Sequence, residues 1–295
     1  MKTKGIILAA GRSTRLMPAS LPISKSLLPI FDKPMTYYPL ETLIRIGIQD
    51  ILFIVQEDEL SIFEKTFGSG SHVGLNFSYK IQEVQRGIAD AYIIAEDFLD
   101  NDSSVLALCD NIFLGDEYFK YASLALEKMK NIGGCVFGLT VSNPEKFGVI
   151  DLDEKNNIIG VEEKPSKPKS NLIIPGMYFF DSEVVYHAKE LKTSARGELE
   201  ITDLIQIYIN KQKLHLEKLN NLISWYDTGN ARDLLNAAQK VQKYEIENKI
   251  KIGAYEIAAF EKGFIDVSAL EKISKNFINS DYGQFIKNYI KILNS

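Results

Sequence analysis

The sequence predicts an α/β protein with a mixed, mainly parallel sheet flanked by helices, followed by a helical C-terminal extension. In its first half, short apolar runs of strand length alternate with stretches of helical spacing, which is the pattern of strand–helix crossovers. The apolar runs are continuous rather than alternating, as in strands that are buried on both faces. These runs are GIILAA, DILFIV, SVLALCD and CVFGLTV.

The segments between these runs have helical spacing, and several of them end at or near a Gly or Asn. They are TYYPLETLIRIG, DELSIFEKTFG, ADAYIIAEDFL and DEYFKYASLALEKMKN. Open sheets of this kind bind ligands at the carboxyl ends of their strands. The residues that follow each apolar run are therefore the first candidates for a functional site.

The pattern changes from about Gly148. The stretch VIDLDEKNNIIGVEEKP predicts a hairpin around residues 155–157, and IPGMYFFD predicts a further strand. GELEITDLIQIYINKQ and ARDLLNAAQKVQKYEIENK have helical spacing. The stretch FINSDYGQFIKNYIKIL places five apolar residues on one helical face, namely Phe285, Ile286, Tyr289, Ile290 and Leu293.

The sequence contains no internal repeat and no Pro-rich linker between these parts. We therefore predict one main domain over residues 1–229, with a first part of about 1–147 and a second part of about 148–229. Residues 230–295 form the helical extension, which we expect to supply an interface.

Charge and cysteine usage exclude some classes of protein. The 295 residues include 34 Lys and Arg against 39 Asp and Glu, a net charge of −5 that is spread along the chain. That balance argues against a binder of nucleic acid or of membrane surfaces. Cys109 and Cys135 follow no metal-ligand spacing, so buried thiols in a reducing compartment are expected. The sequence shows neither a signal segment nor a membrane span, and we expect a cytoplasmic protein.

The stretch LAAGRSTRLMPASLPISKSLLP, residues 8–29, predicts a phosphate-binding loop. The backbone N–H groups of residues 11–14 could form an anion-binding nest after the first strand. Arg15 offers a planar fork for phosphate oxygens and Lys25 a point charge. The stretch contains neither the P-loop nor the G-x-G-x-x-G pattern, and an ordinary polar turn remains the alternative.

Three further sites carry candidate chemistry, each with a plainer structural alternative. Asp110 and Asp227 are carboxylates that suit Mg²⁺, although either could simply cap a turn. Glu163 and Lys164 could bind hydroxyls and a phosphate, or form a solvated charged turn. Gln82 could read a pyrimidine edge, or be a polar residue that ends a strand.

The sequence LAAGRSTRLMPASLPISKSLLPIFDKPMTYYPLETLI resembles the signature of the sugar-phosphate nucleotidyltransferases, and more closely that of bacterial glucose-1-phosphate thymidylyltransferases. The similarity continues in the same order over nearly the whole chain. Its later motifs are LALCDNIFLG, EKFGVIDLDE, VEEKPSKPKSN, GMYFFD, SARGELEITDL, WYDTG and KGFID. The resemblance implies a Rossmann-like sheet, the nucleotide-diphospho-sugar transferase fold. It also implies that the part over 1–147 binds the nucleotide and that the part over 148–229 binds the sugar phosphate.

The resemblance also assigns roles to residues. The implied catalytic groups are Arg15, Lys25, Asp110, Lys164 and Asp227, with Asp110 and Asp227 holding one Mg²⁺. The implied nucleotide site consists of Leu8, Ala10, Gly11, Ser13, Thr14, Arg15, Lys25, Gln82, Gly87 and Asp110. The implied sugar-phosphate site consists of Asn111, Gly148, Glu163, Lys164, Ile174, Tyr178 and Arg196.

The reaction implied by the resemblance joins dTTP and glucose-1-phosphate into dTDP-glucose and pyrophosphate, the first step of deoxysugar biosynthesis such as that of dTDP-rhamnose. Relatives are commonly homotetramers. Two alternatives stay open: the same chemistry with UTP or with an amino- or deoxysugar-1-phosphate, and a non-catalytic sensor of nucleotide sugars.

Four departures from the family pattern bear on specificity and control. Relatives usually read LAGGSGTRL where this chain has Ala10, Arg12 and Ser13, and a Tyr near the sugar is here Phe147. The base-binding segment usually reads P-x-G-L-A-Q-A, whereas residues 85–91 here are QRGIADA. In the extension, Glu261 stands where relatives carry an Arg of a second, feedback nucleotide-sugar site. This charge reversal predicts weak or altered feedback by dTDP-sugars.

Overall fold

A ten-stranded sheet forms the centre of the computed structural model, which describes residues 2–11, 14–115 and 117–293. The strands are β1 Thr3–Leu8, β2 Pro29–Ile30, β3 Lys33–Pro34, β4 Asp50–Val55, β5 Asn76–Ile81, β6 Ser103–Leu108, β7 Asn111–Leu114, β8 Gly134–Thr140, β9 Gly148–Leu152, β10 Ile158–Glu163, β11 Leu172–Ile174, β12 Met177–Phe180, β13 Leu214–Lys218 and β14 Ser224–Asp227. The order across the central sheet is β10-β9-β11-β8-β12-β6-β1-β4-β5, with β13 beside β8.

The predicted mixed, mainly parallel sheet is confirmed. β1 pairs in parallel with both β4 and β6, and β5 extends the parallel set beyond β4. β12 runs antiparallel between β6 and β8, while β10 and β11 also oppose their neighbours. Three strands of the central sheet therefore run antiparallel to the other seven. The four apolar runs of the first half form strands β1, β4, β6 and β8, which all belong to the set of seven.

Helices cover both faces of the sheet, as expected for crossover connections. They are α1 Tyr37–Arg45, α2 Leu60–Phe67, α3 Asp90–Ile94, α4 Glu96–Leu99, α5 Tyr118–Ile132, α6 Val184–Glu190, α7 Ile201–Asn210, α8 Ala231–Asn248, α9 Tyr255–Glu261, α10 Val267–Asn276 and α11 Asp281–Leu293. Successive strand residues point to opposite faces. Ile7 joins the core beneath α1, α2 and α5, and Ile6 joins the core beneath α3, α6 and α7.

The hairpin predicted around residues 155–157 is present between β9 and β10. Asp153 shapes it, because its Oδ1 accepts from the backbone N–H groups of Lys155 and Asn157 at 2.9 and 2.8 Å. Asn156 has a φ of 63°, a left-handed conformation that Asn tolerates. The hairpin places the end of β10 beside the start of β9, and both strand ends carry predicted site residues.

Residues 230–295 pack against the preceding elements at several places. α9 lies against α1, and Lys33 Nζ of β3 reaches Glu245 Oε1 of α8 at 2.9 Å in a buried ion pair. On α11, Ile286 and Ile290 are buried as their predicted shared face requires, whereas Leu293 is 47% exposed.

Within the described ranges, no helix is both long and apolar enough to cross a membrane. The two cysteines are free and buried, as expected.

Candidate functional site

An open cleft of about 820 Å³ lies at the carboxyl ends of β6 and β8. The predicted site residues that line it are Arg15, Asp110, Asn111, Gly148, Glu163, Lys164, Ile174, Tyr178 and Asp227. These residues come from segments more than 200 positions apart in the chain. The structure therefore brings the implied metal site and most of the implied sugar-phosphate site to one cavity.

Lys25 and Asp110 form an ion pair beside this cleft. A single helical turn over Lys25–Leu27 holds the Lys25 side chain 10% exposed, with Nζ 2.6 Å from Asp110 Oδ2. The other oxygen, Oδ1, accepts from the side-chain amide of Asn111 at 2.9 Å. Burial acts to raise the pKa of Asp110, but Lys25 and Asn111 outweigh it and hold the pKa below its ordinary value. Asp110 is thus kept ionised.

Asn111 fixes the position of this carboxylate. Its Oδ1 accepts from the backbone N–H of Gly176 at 2.9 Å and from Trp225 Nε1 at 2.7 Å. Position 176 requires glycine, because a Cβ there would lie 2.6 Å from Asn111 Nδ2. Asn111 therefore has a scaffolding role that ties β7, β12 and β14 together behind Asp110.

Asp227 reaches the cleft through a two-stranded sheet that lies outside the central one. β14 pairs antiparallel with β7, and this register places Asp227 opposite Asn111. The next residue, Thr228, donates to Asp110 O from its backbone N–H at 3.1 Å and from its hydroxyl at 3.0 Å. The two aspartate segments are thereby tied together across more than 100 residues of sequence.

Arg15 and Asp227 both border Gly229. A Cβ at that position would lie 3.0 Å from Arg15 Nη2 and 3.1 Å from Asp227 Oδ1. Burial raises the pKa of Asp227 and the Asp110 charge raises it further, while Lys25 and Arg15 act in the opposite direction. The side chains of Arg15, Lys25, Asp110 and Asp227 thus form one electrostatically coupled group of two cations and two carboxylates.

The predicted sugar-phosphate residues lie farther along the same cleft. Glu163 ends β10 opposite Gly148, the first residue of β9. Lys164 follows with a φ of 45°, and its backbone N–H donates to Phe147 O at 3.0 Å. Burial raises the pKa of Tyr178, with Glu163 and Asp110 adding to the rise, so the phenol stays neutral. A carboxylate, an ammonium group and a phenol are thereby placed on one wall.

Arg196 does not line the cleft in this structure. Its guanidinium lies 3.3 Å from Glu163 Oε1, 2.9 Å from Glu198 Oε2 and 3.7 Å from Glu200 Oε1. Of the described residues that line the sugar-phosphate part of the cleft, Arg196 contacts Glu163 alone.

The predicted base-binding residues lie at the ends of β1 and β5. Gln82 follows β5 directly and is buried. Gly87 has a φ of 103°, and a Cβ there would lie 2.4 Å from Leu199 O, so only glycine fits. Gln85 Nε2 donates to Ala10 O at 2.6 Å, which joins the base-binding segment to the loop after β1.

The remaining members of the predicted phosphate loop cluster at the same edge. Leu8 ends β1, Ala10 is fully buried, Gly11 is exposed, and Thr14 begins the short helical turn that carries Arg15. Arg12 and Ser13 lie outside the described residues.

Some lining residues were missed by sequence reasoning. The loop after β8 contributes Asn143, Glu145 and Lys146, and the start of α8 contributes Asn230 and Asp233. The loop could have been found, because it follows an apolar strand in the same way as Asp110 does. The α8 residues carried no local signal, since only the chain path after β14 brings them to the cleft.

The two aspartates fit a divalent cation. Their donor atoms are hard carboxylate oxygens, which is the ligand type that Mg²⁺ takes, and Mg²⁺ is usually held by one or two carboxylates together with substrate phosphates and water. Among the described residues, no cluster of three or more His, Cys, Asp or Glu side chains forms a ready-made metal cage. A cation bound here would therefore need phosphate oxygens to complete its ligand set.

Comparison with known proteins relates the chain to one enzyme family. The family model described as nucleotidyl transferase matches residues 4–244. The chain is 42% identical to a glucose-1-phosphate thymidylyltransferase of Mycolicibacterium smegmatis, over 96% of this chain and 97% of that protein. It is 40% identical to one from Neisseria meningitidis, over 98% and 99%.

Solved structures have the same architecture. A Bacillus anthracis protein provisionally assigned as a glucose-1-phosphate thymidylyltransferase, solved in complex with a sucrose, superposes with a TM-score of 0.74 at 37% identity. That match covers 81% of this chain and 95% of the other. A UDP-glucose pyrophosphorylase complexed with UDP-glucose gives a TM-score of 0.72 at 23% identity, covering 82% and 99%, and shows likeness of fold alone.

Proposed function

This chain belongs to the nucleotidyl transferase family, and we propose that it transfers a thymidylyl group from dTTP to glucose-1-phosphate, releasing dTDP-glucose and pyrophosphate. One observation carries the proposal. The coupled group of Arg15, Lys25, Asp110 and Asp227 borders a cleft whose lining also includes Glu163 and Lys164. Cations for a triphosphate and groups for a sugar phosphate thus share one cavity. The names of the relatives point to the same pair of substrates.

The proposed reaction needs no general base. A phosphate oxygen of glucose-1-phosphate attacks the α-phosphorus of dTTP, the new P–O bond forms, and the bond to the pyrophosphate oxygen breaks in line. Since the nucleophile is already anionic, the residues of the chain contribute positioning and charge neutralisation. Arg15 and Lys25 offset charge on the triphosphate, and Lys164 holds the attacking phosphate.

Mg²⁺ is the proposed cofactor, with Asp110 and Asp227 as its protein ligands. When bound, it would neutralise charge on the α-phosphate and on the departing pyrophosphate. Lys25 now pairs with Asp110 Oδ2, and this ammonium group would remain close to the phosphates when Asp110 contacts a cation. The Asn111 amide would keep the carboxylate in place throughout.

The sugar is proposed to lie against Glu163 and Tyr178. An ionised carboxylate accepts from neighbouring hydroxyls, and a neutral phenol donates or accepts. Glu163 is at present shared between Arg196 and Lys164, at 3.3 and 3.4 Å. Arg196 therefore remains a proposed second cation for the sugar phosphate, reached by exchanging its carboxylate partners for the substrate.

A second candidate is the same transfer with UTP or with an amino- or deoxysugar-1-phosphate. It is favoured by one feature, the altered segment QRGIADA, whose Arg86 and Asp90 pair with each other at 2.8 Å. A non-catalytic sensor is less well supported, because both carboxylates and Lys25 stand together in the cleft.

Further proposals follow from the family. We propose action in the cytoplasm, a homotetrameric assembly and a place at the start of deoxysugar biosynthesis such as that of dTDP-rhamnose. Feedback by dTDP-sugars is proposed to be weak. Glu261 pairs with Arg45 at 2.5 Å and accepts from Tyr289 OH at 2.8 Å, so position 261 offers a phosphate no cation and also engages Arg45.

Pyrophosphate release tests the proposal. The enzyme is assayed with dTTP, UTP, dCTP or dATP against glucose-1-phosphate, glucosamine-1-phosphate and a deoxysugar-1-phosphate, with Mg²⁺ present. We expect the highest kcat/KM with dTTP and glucose-1-phosphate. A higher kcat/KM with UTP or with another sugar would favour the second candidate, and dTTP binding without turnover of any pair would favour the sensor.

A further inference from the structure

The side-chain amide of Gln82 is held by a buried carboxylate. Gln82 Nε2 donates to Asp90 Oδ2 at 3.1 Å, and Asp90, the first residue of α3, is 1% exposed. The other oxygen of Asp90, Oδ1, accepts from Arg86 Nη2 at 2.8 Å. Both oxygens of this carboxylate are thus engaged by donors.

This arrangement fixes which end of the Gln82 amide points toward Asp90. A carboxylate paired with a guanidinium group has no proton to donate, so the atom of Gln82 that faces it must be the amide nitrogen. Oε1 and the second N–H of the amide are then directed elsewhere. Among the described residues, Oε1 receives no hydrogen bond from the protein. The chemistry of Asp90 therefore leaves Gln82 with an available acceptor.

We propose that Asp90 is the positioning residue that sets base selectivity, by holding Gln82 so that its Oε1 accepts from a base. This inference rests on the proposed function, in which Gln82 contacts the nucleotide base. Thymine and uracil carry an N3–H donor and a carbonyl at C4, which match Oε1 and the second N–H of the amide. Cytosine carries an acceptor at N3, so two acceptors would face each other.

The arrangement favours dTTP and UTP equally over dCTP. The methyl group of thymine and the 2′-hydroxyl of UTP lie away from the N3 edge, so Asp90 has no means to separate those two. One mismatched buried hydrogen bond corresponds to a discrimination of about 10- to 100-fold against dCTP.

Asp90→Asn should reverse the preference for dTTP and UTP over dCTP. Arg86 can only donate, so the new amide at position 90 turns its oxygen toward Arg86 and its NH₂ group toward Gln82. Gln82 then rotates Oε1 toward position 90 and presents its own NH₂ group to the base. Because Arg86 is 56% exposed, loss of its partner leaves the guanidinium in water rather than buried and unpaired.

Two further variants isolate this effect. Arg86→Met leaves Asp90 as an acceptor only, so the preference for dTTP should persist. In Asp90→Asn combined with Arg86→Met, the amide at position 90 is free to rotate, and the preference should be intermediate. Asp97→Asn is the matched control, since Asp97 is a 91% exposed carboxylate that pairs only with Lys80 among the described residues.

The experiment measures kcat/KM for dTTP, UTP and dCTP with glucose-1-phosphate in all five proteins, with thermal unfolding to establish folding. We expect the dTTP-to-dCTP ratio to fall at least about 10-fold in Asp90→Asn, with UTP changing in step with dTTP. A ratio within about threefold of wild type in folded Asp90→Asn would overturn the inference. Should that variant not fold, Asp90→Ser, which removes the buried charge and fixes neither orientation, is expected to bring the ratio toward one. An unchanged ratio there would equally overturn it.

A wild-type enzyme that releases no pyrophosphate from dTTP and glucose-1-phosphate would instead refute the proposed function. The two failures are therefore distinguishable in the same assay.

Discussion

The stability of this protein should depend on pH through Glu256, a buried carboxyl group between α9 and α11. Its Oε2 accepts from Tyr282 OH at 2.5 Å, and its buried Oε1 has no hydrogen-bond partner within the described part of the chain. Burial raises the pKa of Glu256 from its ordinary value of 4.5 to about 7, although Tyr282 and Lys33 act to lower it. The protonated form is therefore favoured in the folded protein.

The sign and size of the effect follow from this shift. The pKa of Glu256 is higher in the folded state, so its protonated carboxyl group stabilises the folded protein. This stabilisation is fully present below about pH 4.5 and is lost as the pH rises through about 7. A rise from 4.5 to about 7, at about 1.4 kcal/mol for each pKa unit, corresponds to about 3 kcal/mol. Nearly all of that loss falls between about pH 4 and pH 8.

Urea unfolding of wild type and Glu256→Gln at constant ionic strength measures this contribution. The side chain introduced by Glu256→Gln is neutral at every pH and keeps a partner for Tyr282. The free energy of unfolding of this variant should therefore fall about 3 kcal/mol less than that of wild type over this pH range. Glu59, whose pKa burial also raises to about 7, is present in both proteins and cancels. Glu271→Gln, at an exposed position of α10, should follow wild type. Parallel pH profiles for wild type and Glu256→Gln would refute the reasoning.

Two other predictions concern substrate and effector. Lys164→Met keeps the length of the side chain and the left-handed backbone but removes the charge. Initial-rate kinetics should therefore show KM for glucose-1-phosphate raised about 10- to 100-fold and KM for dTTP nearly unchanged. An equal rise in both KM values would contradict the assignment of Lys164 to the sugar phosphate. Because Glu261 is an anion and also engages Arg45, dTDP-rhamnose should inhibit only above micromolar concentrations. Micromolar inhibition from a second site would contradict that prediction.

Much of the fold could be predicted because the apolar runs had the length and continuity of buried strands. Position at the carboxyl end of a strand made Asp110 and Gln82 candidates, but only the family resemblance raised them above a turn residue and a strand-ending polar residue. The sequence also predicted the hairpin between β9 and β10, where Asn156 tolerates the left-handed turn.

Other features depend on contacts that local pattern does not encode. That Asp227 joins Asp110 follows from the pairing of β14 with β7, and residue types alone gave each aspartate a plainer turn interpretation. Asp90 looked like a departure from the base-binding pattern, and only the structure shows it buried between Gln82 and Arg86. Leu293 lies near the end of α11, where the helical face continues past the core into solvent.

Asp110 and Asp227 are proposed to hold Mg²⁺ jointly for nucleotidyl transfer, and the most direct test is pyrophosphate release from dTTP and glucose-1-phosphate by Asp227→Asn. Asp227 pairs with β7 through its backbone, which asparagine retains, so we expect an unchanged thermal unfolding midpoint with turnover reduced at least about 100-fold. Wild type should lose its activity on removal of Mg²⁺ and regain it when Mg²⁺ is restored. Near-wild-type turnover by folded Asp227→Asn, or wild-type turnover in the absence of any divalent cation, would contradict the account.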